Sequence, residues 1–138
     1  MNAKKITILT LTVFLMTIYP LAAMDNNVIN DAFARYTKEG GSNFNADTGK
    51  SRWYKKEATA NKGKGGSCVS CHGENFSQEG KHVNTGKIIP PMSPRVNNKR
   101  FTSTKELEKW FQRNCNWVYD RECTAQEKGD FLAFLIKQ

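Results

Sequence analysis

One five-residue segment constrains this chain more than any other. It runs Cys68-Val69-Ser70-Cys71-His72, which is a C-x-x-C-H pattern. Two cysteines at this spacing can form thioether bonds to one edge of a porphyrin, and the histidine that follows can bind the iron from the proximal side. We therefore predict one covalently attached haem c, with Cys68 and Cys71 as the thioether residues and His72 as the proximal iron ligand.

Two other kinds of site share part of this pattern. A C-x-x-C pair also occurs in thioredoxin-like redox proteins and in half of a zinc site. The first would need a surrounding βαβ pattern, and the second would need another C-x-x-C or an H-x-x-x-H. The sequence contains neither, so haem attachment is favoured.

Residues 1–23 have the pattern of a secretory signal peptide. Lys4 and Lys5 precede an apolar run over residues 6–18, and Leu21-Ala22-Ala23 supplies the small residues of a cleavage site. The run is shorter than the roughly 20 residues that span a bilayer. We expect cleavage after Ala23, a periplasmic location and no transmembrane segment in the mature chain. An uncleaved membrane anchor is the alternative.

The mature chain, residues 24–138, is long enough for one monohaem cytochrome c domain. It carries 19 basic and 13 acidic residues, a net charge of +6. The basic residues are scattered among glycines rather than aromatic stacking platforms, so nucleic acid is not expected as a partner. An acidic protein surface or plain solvation explains the charge equally well.

Helical periodicity dominates the hydrophobic pattern, and no strand pattern of any length is present. Asp25 is positioned to cap a first helix that Gly40-Gly41 would end, and a second helix is predicted over residues 45–56. We predict a flexible loop into the haem site over residues 61–67. We also predict a long irregular segment over residues 73–101. Two capping boxes, Ser103-x-x-Glu106 and Thr124-x-x-Glu127, open the last two helices. We predict an all-α fold that resembles class I cytochrome c, built around one haem, with an extra N-terminal helix.

Three residues that come later in the sequence than His72 are candidates for the distal iron ligand. Met92 lies in a proline-rich segment and could equally be packing, and His82 lies in a polar stretch typical of a solvated loop. Asn114 continues the apolar stripe of a predicted helix, where a buried amide costs about 1–3 kcal/mol unless it is satisfied. An iron could satisfy it, although asparagine is also common near helix ends.

The two remaining cysteines, Cys115 and Cys123, stand beside Asn114 in the sequence. Because the chain carries an export signal and the haem uses the other two thiols, we predict a disulfide between them. The bond would close a short loop over residues 116–122 between the last two helices. Free thiols are the alternative.

From about Phe44 onward the chain resembles the sphaeroides haem protein family of small exported monohaem cytochromes. The segments that carry the resemblance are Thr85–Pro94, Asn97–Thr102, Glu108–Cys115 and Arg121–Asp130. The resemblance implies Asn114 as the distal ligand, a Cys115–Cys123 disulfide, loss of the asparagine on reduction, and binding of O2, NO or CO. It also implies a dihaem cytochrome c or a membrane cytochrome b as electron donor. Met92 departs from the family pattern, which has an apolar residue such as leucine there.

Three functions remain open at this point. The first is a gas-binding cytochrome that uses the position Asn114 leaves. The second is a conventional electron carrier with His72 and Met92 as ligands. The third is an enzyme that reduces O2, peroxide or NO, which is weakly supported because no distal acid–base pair stands out. Arg95, Lys99, Arg100 and Trp53 have chemistry suited to the haem propionates.

Overall fold

The structure is a computed structural model that describes residues 24–57 and 66–138. This part of the chain forms five helices and one pair of very short strands, which confirms the all-α prediction and the additional N-terminal helix. The predicted signal peptide and most of the predicted loop over residues 61–67 lie outside the described residues. The elements are α1 (Asn26–Lys38), α2 (Ala46–Tyr54), α3 (Cys68–His72), β1 (Gly80–Lys81), β2 (Ile88–Ile89), α4 (Thr104–Tyr119) and α5 (Ala125–Leu135).

The first two helices begin where side-chain caps are available. Asp25 accepts a hydrogen bond from the backbone N–H of Asn27 at 3.0 Å, which confirms it as the cap of α1. Asn45 accepts from two backbone N–H groups in the same way and starts α2. Gly40 follows α1 with a φ of 98°, in the left-handed region that favours glycine, so the predicted stop is confirmed.

The two predicted capping boxes have different outcomes. The box at α5 is complete, since Thr124 accepts from the backbone of Glu127 and the Glu127 side chain accepts from the backbone of Thr124. At α4 only the Ser103 half forms. The Glu106 side chain instead accepts hydrogen bonds from Lys109, one helical turn further on, so the prediction of a full box there was wrong.

Helix α4 is longer than the sequence suggested. The predicted loop over residues 116–122 is helical as far as Tyr119, and the helix ends only at Asp120, which has a left-handed φ of 54°. A short strand pair was also missed. Gly80 pairs with Ile89 and Lys81 with Ile88 in antiparallel register. Two-residue strands are too short to show the alternation on which strand prediction depends.

The core is centred on the crossing of α2 over α5. Gly49 of α2 lies so close to α5 that a Cβ there would overlap the carbonyl oxygen of Asp130. This approach brings Trp53, at the end of α2, into contact with Phe131 and Phe134 of α5. Helix α1 packs on another part of α5. The α2–α5 pair therefore forms the wall against which the C-x-x-C-H segment rests.

None of the helices in residues 24–57 and 66–138 combines the length and the apolar character that a bilayer crossing requires.

Candidate functional site

A cavity of about 730 Å³ lies between α3, α4 and the irregular segment that precedes α4. Its volume falls within the range of cofactor pockets, which is roughly 300–1,000 Å³. The cavity brings together most of the residues that the sequence singled out. The predicted site residues on its wall are Cys68, Cys71, His72, His82, Met92, Asn114 and Cys115.

The C-x-x-C-H segment forms a single helical turn, α3. Ser67 and Ser70 start this turn with reciprocal side-chain hydrogen bonds. The helical spacing of three and four residues places Cys68, Cys71 and His72 on one face, and all three line the cavity. Two thiols and an imidazole are thus presented to the same space.

His72 is held as a neutral imidazole. Burial, aided by the charge of Arg100, lowers its pKa to about 4, and the ring of Trp53 packs against it with 5.2 Å between centroids. Its Nδ1 is buried and has no hydrogen-bond partner within the described residues. Nε2 is the nitrogen left to serve as an iron ligand, and ligation requires it to be unprotonated.

The two thiols of α3 are not bonded to each other. Burial is the main cause that raises the pKa of Cys68 to about 12. Redox dithiols depend on a lowered thiol pKa, so this environment does not suit a thioredoxin-like site. A zinc site is not supported either, because the described residues contain no cluster of three or more potential metal ligands.

Asn114 and Met92 reach the cavity from different elements. Asn114 lies on α4, on the same face as Leu107 and Phe111. Its side chain lies on the cavity wall rather than in the protein core and is exposed there, because the apolar stripe of α4 continues from the core onto that wall. The amide forms no hydrogen bond with the described part of the chain. Met92, by contrast, is buried, with 8% of its surface exposed.

His82 lies in a loop, as its polar neighbours suggested, but it is only partly exposed. Its Nδ1 accepts hydrogen bonds from the backbone N–H groups of Asn84 and Thr85, both at 3.3 Å. Its ring packs against Trp117 with 5.0 Å between centroids. Both residues line the cavity, and the sequence analysis missed Trp117. The signal was present, since Trp117 follows Asn114 by one helical turn and shares its face.

Cys115 and Cys123 are bonded to each other, with their Cα atoms 5.5 Å apart. Both are buried. The bond joins the C-terminal half of α4, one residue after Asn114, to the segment just before α5. The backbone that carries Asn114 is therefore fixed to the α5 side of the molecule.

The charges on the cavity wall are mostly positive. The basic residues that line it are Lys87, Lys99, Arg100 and Arg113. Glu106 is the one acidic residue among the described lining residues, and it already pairs with Lys109. Arg95 does not line the cavity, although the sequence made it a candidate for the propionates.

These residues fit a covalently attached haem. The cavity has porphyrin-compatible volume, two free thiols and a neutral imidazole on one face, and a wall whose positive charge suits a dicarboxylate. Two further lining residues, Trp53 and Tyr119, bury a polar side-chain atom that has no partner in the described residues. Buried polar atoms are normally satisfied, so this wall suits a ligand that carries hydrogen-bonding groups.

Comparison with known proteins gives the family. A family described as a domain of unknown function, DUF1924, matches residues 39–135. The cytochrome c-type protein SHP of Cereibacter sphaeroides is 38% identical over 105 residues, which cover 76% of this chain and 80% of that protein. The chain belongs to the sphaeroides haem protein family.

A second relative is the cytochrome c'' of Methylophilus methylotrophus, 43% identical over 76 residues, which span 55% of this chain and 53% of that protein. Two solved structures have the same fold. Oxidised SHP, an oxygen-binding cytochrome c, matches with a TM-score of 0.73 and 34% identity over 80% of this chain and 96% of its own. Oxidised cytochrome c'' matches with a TM-score of 0.67 and 34% identity over 83% and 97%. The predicted cytochrome c-like fold is thus confirmed.

Proposed function

We propose that this member of the sphaeroides haem protein family is a periplasmic monohaem cytochrome c whose distal ligand, Asn114, leaves on reduction and makes room for O2, NO or CO. Cys68 and Cys71 hold the haem covalently, and His72 is the proximal ligand. When bound, the haem supplies a redox-active iron with a coordination position for a small molecule. The observation that carries the proposal is the free amide of Asn114 on the cavity wall.

The chemistry of the amide explains why it would respond to the oxidation state. The oxygen of an asparagine side chain is a hard, neutral and weak donor, and ferric iron is harder than ferrous iron. Asn114 therefore binds the oxidised state in preference to the reduced one. By linkage, a ligand that prefers one oxidation state shifts the equilibrium by its difference in affinity. Reduction of a bound iron would therefore weaken its bond to Asn114.

Two relatives support this proposal. SHP is an oxygen-binding cytochrome c. The solution structure of cytochrome c'' concerns the structural basis of haem-ligand detachment, and it matches this chain with a TM-score of 0.68 and 32% identity. A dihaem cytochrome c or a membrane cytochrome b would supply the electrons.

Met92 keeps a second candidate function in view. It is buried in the same cavity wall, and a thioether suits the softer ferrous state. With His72 and Met92 as ligands, the iron would stay six-coordinate in both oxidation states, and the protein would be a conventional electron carrier.

The substitution Asn114→Ala tests the first function. We expect haem attachment to persist, because Cys68, Cys71 and His72 are unchanged, while the ferric absorption spectrum shifts to that of an open or water-bound iron. Asn116→Ala is the matched control, since Asn116 lies on the same helix, is exposed, and does not line the cavity. An unchanged ferric spectrum in Asn114→Ala would remove Asn114 from the distal position.

A further inference from the structure

Arg100 is a partly enclosed cation that lies on the cavity wall. Its Nε donates a hydrogen bond to the carbonyl oxygen of Pro91 at 2.8 Å, and its Nη2 donates to the carbonyl oxygen of Pro90. Both acceptors are neutral. Burial lowers the pKa of this guanidinium from its ordinary value, because a charged group is less favourable away from water.

The other partly enclosed arginines of the described chain have acidic partners. Arg35 pairs with Glu108, and Arg52 pairs with Glu127. Arg100 pairs with no aspartate or glutamate of residues 24–57 and 66–138. A cation removed from water is unfavourable unless an anion or a set of hydrogen bonds compensates it. Of the Arg100 nitrogens, only Nε and Nη2 donate hydrogen bonds to the two backbone carbonyls. Its Nη1 has no acceptor in this part of the chain.

The haem that the cavity fits carries two carboxylates, its propionates. A guanidinium is the side chain best matched to a carboxylate, because its planar fork can donate two parallel hydrogen bonds. Lys87, Lys99 and Arg113 also line the cavity, but they are exposed, and exposed ion pairs contribute little. Trp53 can donate a hydrogen bond, but it carries no charge that would pair with a carboxylate.

We propose that Arg100 binds one haem propionate and, through the carbonyls of Pro90 and Pro91, couples that carboxylate to the segment that carries Met92. This inference rests on the proposed haem site. Arg100 thus acts as a cofactor-binding residue and as a positioning residue for the distal side.

The test is a spectroelectrochemical titration of the holoprotein, which gives the midpoint potential as a function of pH. In the parent protein the propionate paired with Arg100 stays ionised, so it adds no step near neutral pH. In Arg100→Gln the uncompensated carboxylate stabilises the ferric state and lowers the potential at neutral pH. The released propionate then titrates and adds a pH-dependent step that the parent protein lacks.

Controls separate this role from others. Other titratable groups share the cavity wall, namely His72, His82, Glu106, Tyr119, Lys87, Lys99 and Arg113. These are present in parent and variant alike, so only a step confined to the variant counts. Arg100→Lys, which keeps the charge, is expected to recover most of the parent potential. Arg95→Gln, at an exposed arginine of the same segment that does not line the cavity, is expected to leave the profile unchanged. If Arg100→Gln does not fold, Arg100→Lys and Arg100→Met replace it. A parent-like profile in Arg100→Lys together with a new pH-dependent step in Arg100→Met supports the assignment of Arg100 to a propionate.

Three results would overturn the inference. The first is a parent-like profile in Arg100→Gln. The second is a shift that is independent of pH, which a displaced Pro90–Met92 segment alone would produce. The third is an equal effect of Arg95→Gln. A pyridine haemochrome spectrum keeps the two proposals apart. If the parent protein lacks haem c, the proposed function fails; if haem c is present and the profile is unaltered, only the role of Arg100 fails.

Discussion

At the scale of single residues, the proposed function depends on which of two side chains would hold the sixth coordination position of the iron. Asn114 and Met92 both line the cavity, but they differ in their surroundings. Met92 is buried in a segment held by Arg100 and is explained by packing alone. The Asn114 amide is exposed on the wall and forms no hydrogen bond with the described residues, so packing does not account for it.

Met92→Leu is therefore expected to change little. Leucine and methionine have similar volumes, and such exchanges usually cost less than about 1.5 kcal/mol of unfolding free energy. The ferric and ferrous absorption spectra should match those of the parent protein, and Met24→Leu, at a partly buried site on the core, controls for the exchange itself. Loss of a low-spin ferrous spectrum in Met92→Leu alone would assign the distal position to Met92.

At the scale of secondary structure, the α2–α5 crossing determines where the haem motif can rest. Gly49 permits the approach, and Trp53 then packs between His72 of α3 and two phenylalanines of α5. The position of the predicted proximal ligand therefore depends on a contact between two helices that do not contain it.

Gly49→Ala should destabilise the fold, because the added methyl group overlaps a backbone carbonyl that cannot rotate away. Overpacking of this kind costs about 1–3 kcal/mol. Thermal unfolding followed by circular dichroism would measure the loss. Ser51→Ala, on the exposed side of α2, should be neutral or slightly stabilising because alanine favours helix. A Gly49→Ala protein as stable as the parent would contradict the close crossing.

Elements with local signals were predictable from the sequence, and elements set by tertiary contacts were not. Asp25 and the Thr124–Glu127 box identified the starts of α1 and α5, since a cap acts within one turn. The continuation of α4 to Tyr119 has no such signal. The exposure of Asn114 and the packing of His82 on Trp117 depend on residues distant in sequence. The C-x-x-C-H motif was recognisable because its chemistry requires a fixed spacing.

At the scale of the whole molecule, one buried carboxylate connects three parts of the chain. Glu127 of α5 accepts hydrogen bonds from Arg121, from Arg52 of α2 and from the backbone of Thr124. Arg121 is the largest of the causes that lower the pKa of Glu127 from an ordinary 4.5 to about 2. This network joins the disulfide-linked segment to the α2–α5 wall.

The lowered pKa of Glu127 predicts that the protein loses stability in acid. Because the folded pKa is lower than the unfolded one, the stabilisation is complete above about pH 4.5 and is lost as the pH falls toward 2. The shift corresponds to about 3 kcal/mol before screening. Because Arg52 and Arg121 are partly exposed to solvent, the contribution that remains is on the order of 2 kcal/mol. Glu127→Gln should flatten the dependence of the unfolding free energy on pH over that window, whereas exposed Glu122→Gln should not. Equal slopes in the two variants would rule out the network.

The central claim is that the sixth position becomes available when the protein is reduced. The most direct measurement is the absorption spectrum of the dithionite-reduced holoprotein recorded with and without carbon monoxide. The account predicts a five-coordinate ferrous spectrum that changes as soon as carbon monoxide is added. A reduced protein that stays six-coordinate and does not respond to carbon monoxide would contradict it and leave a conventional electron carrier.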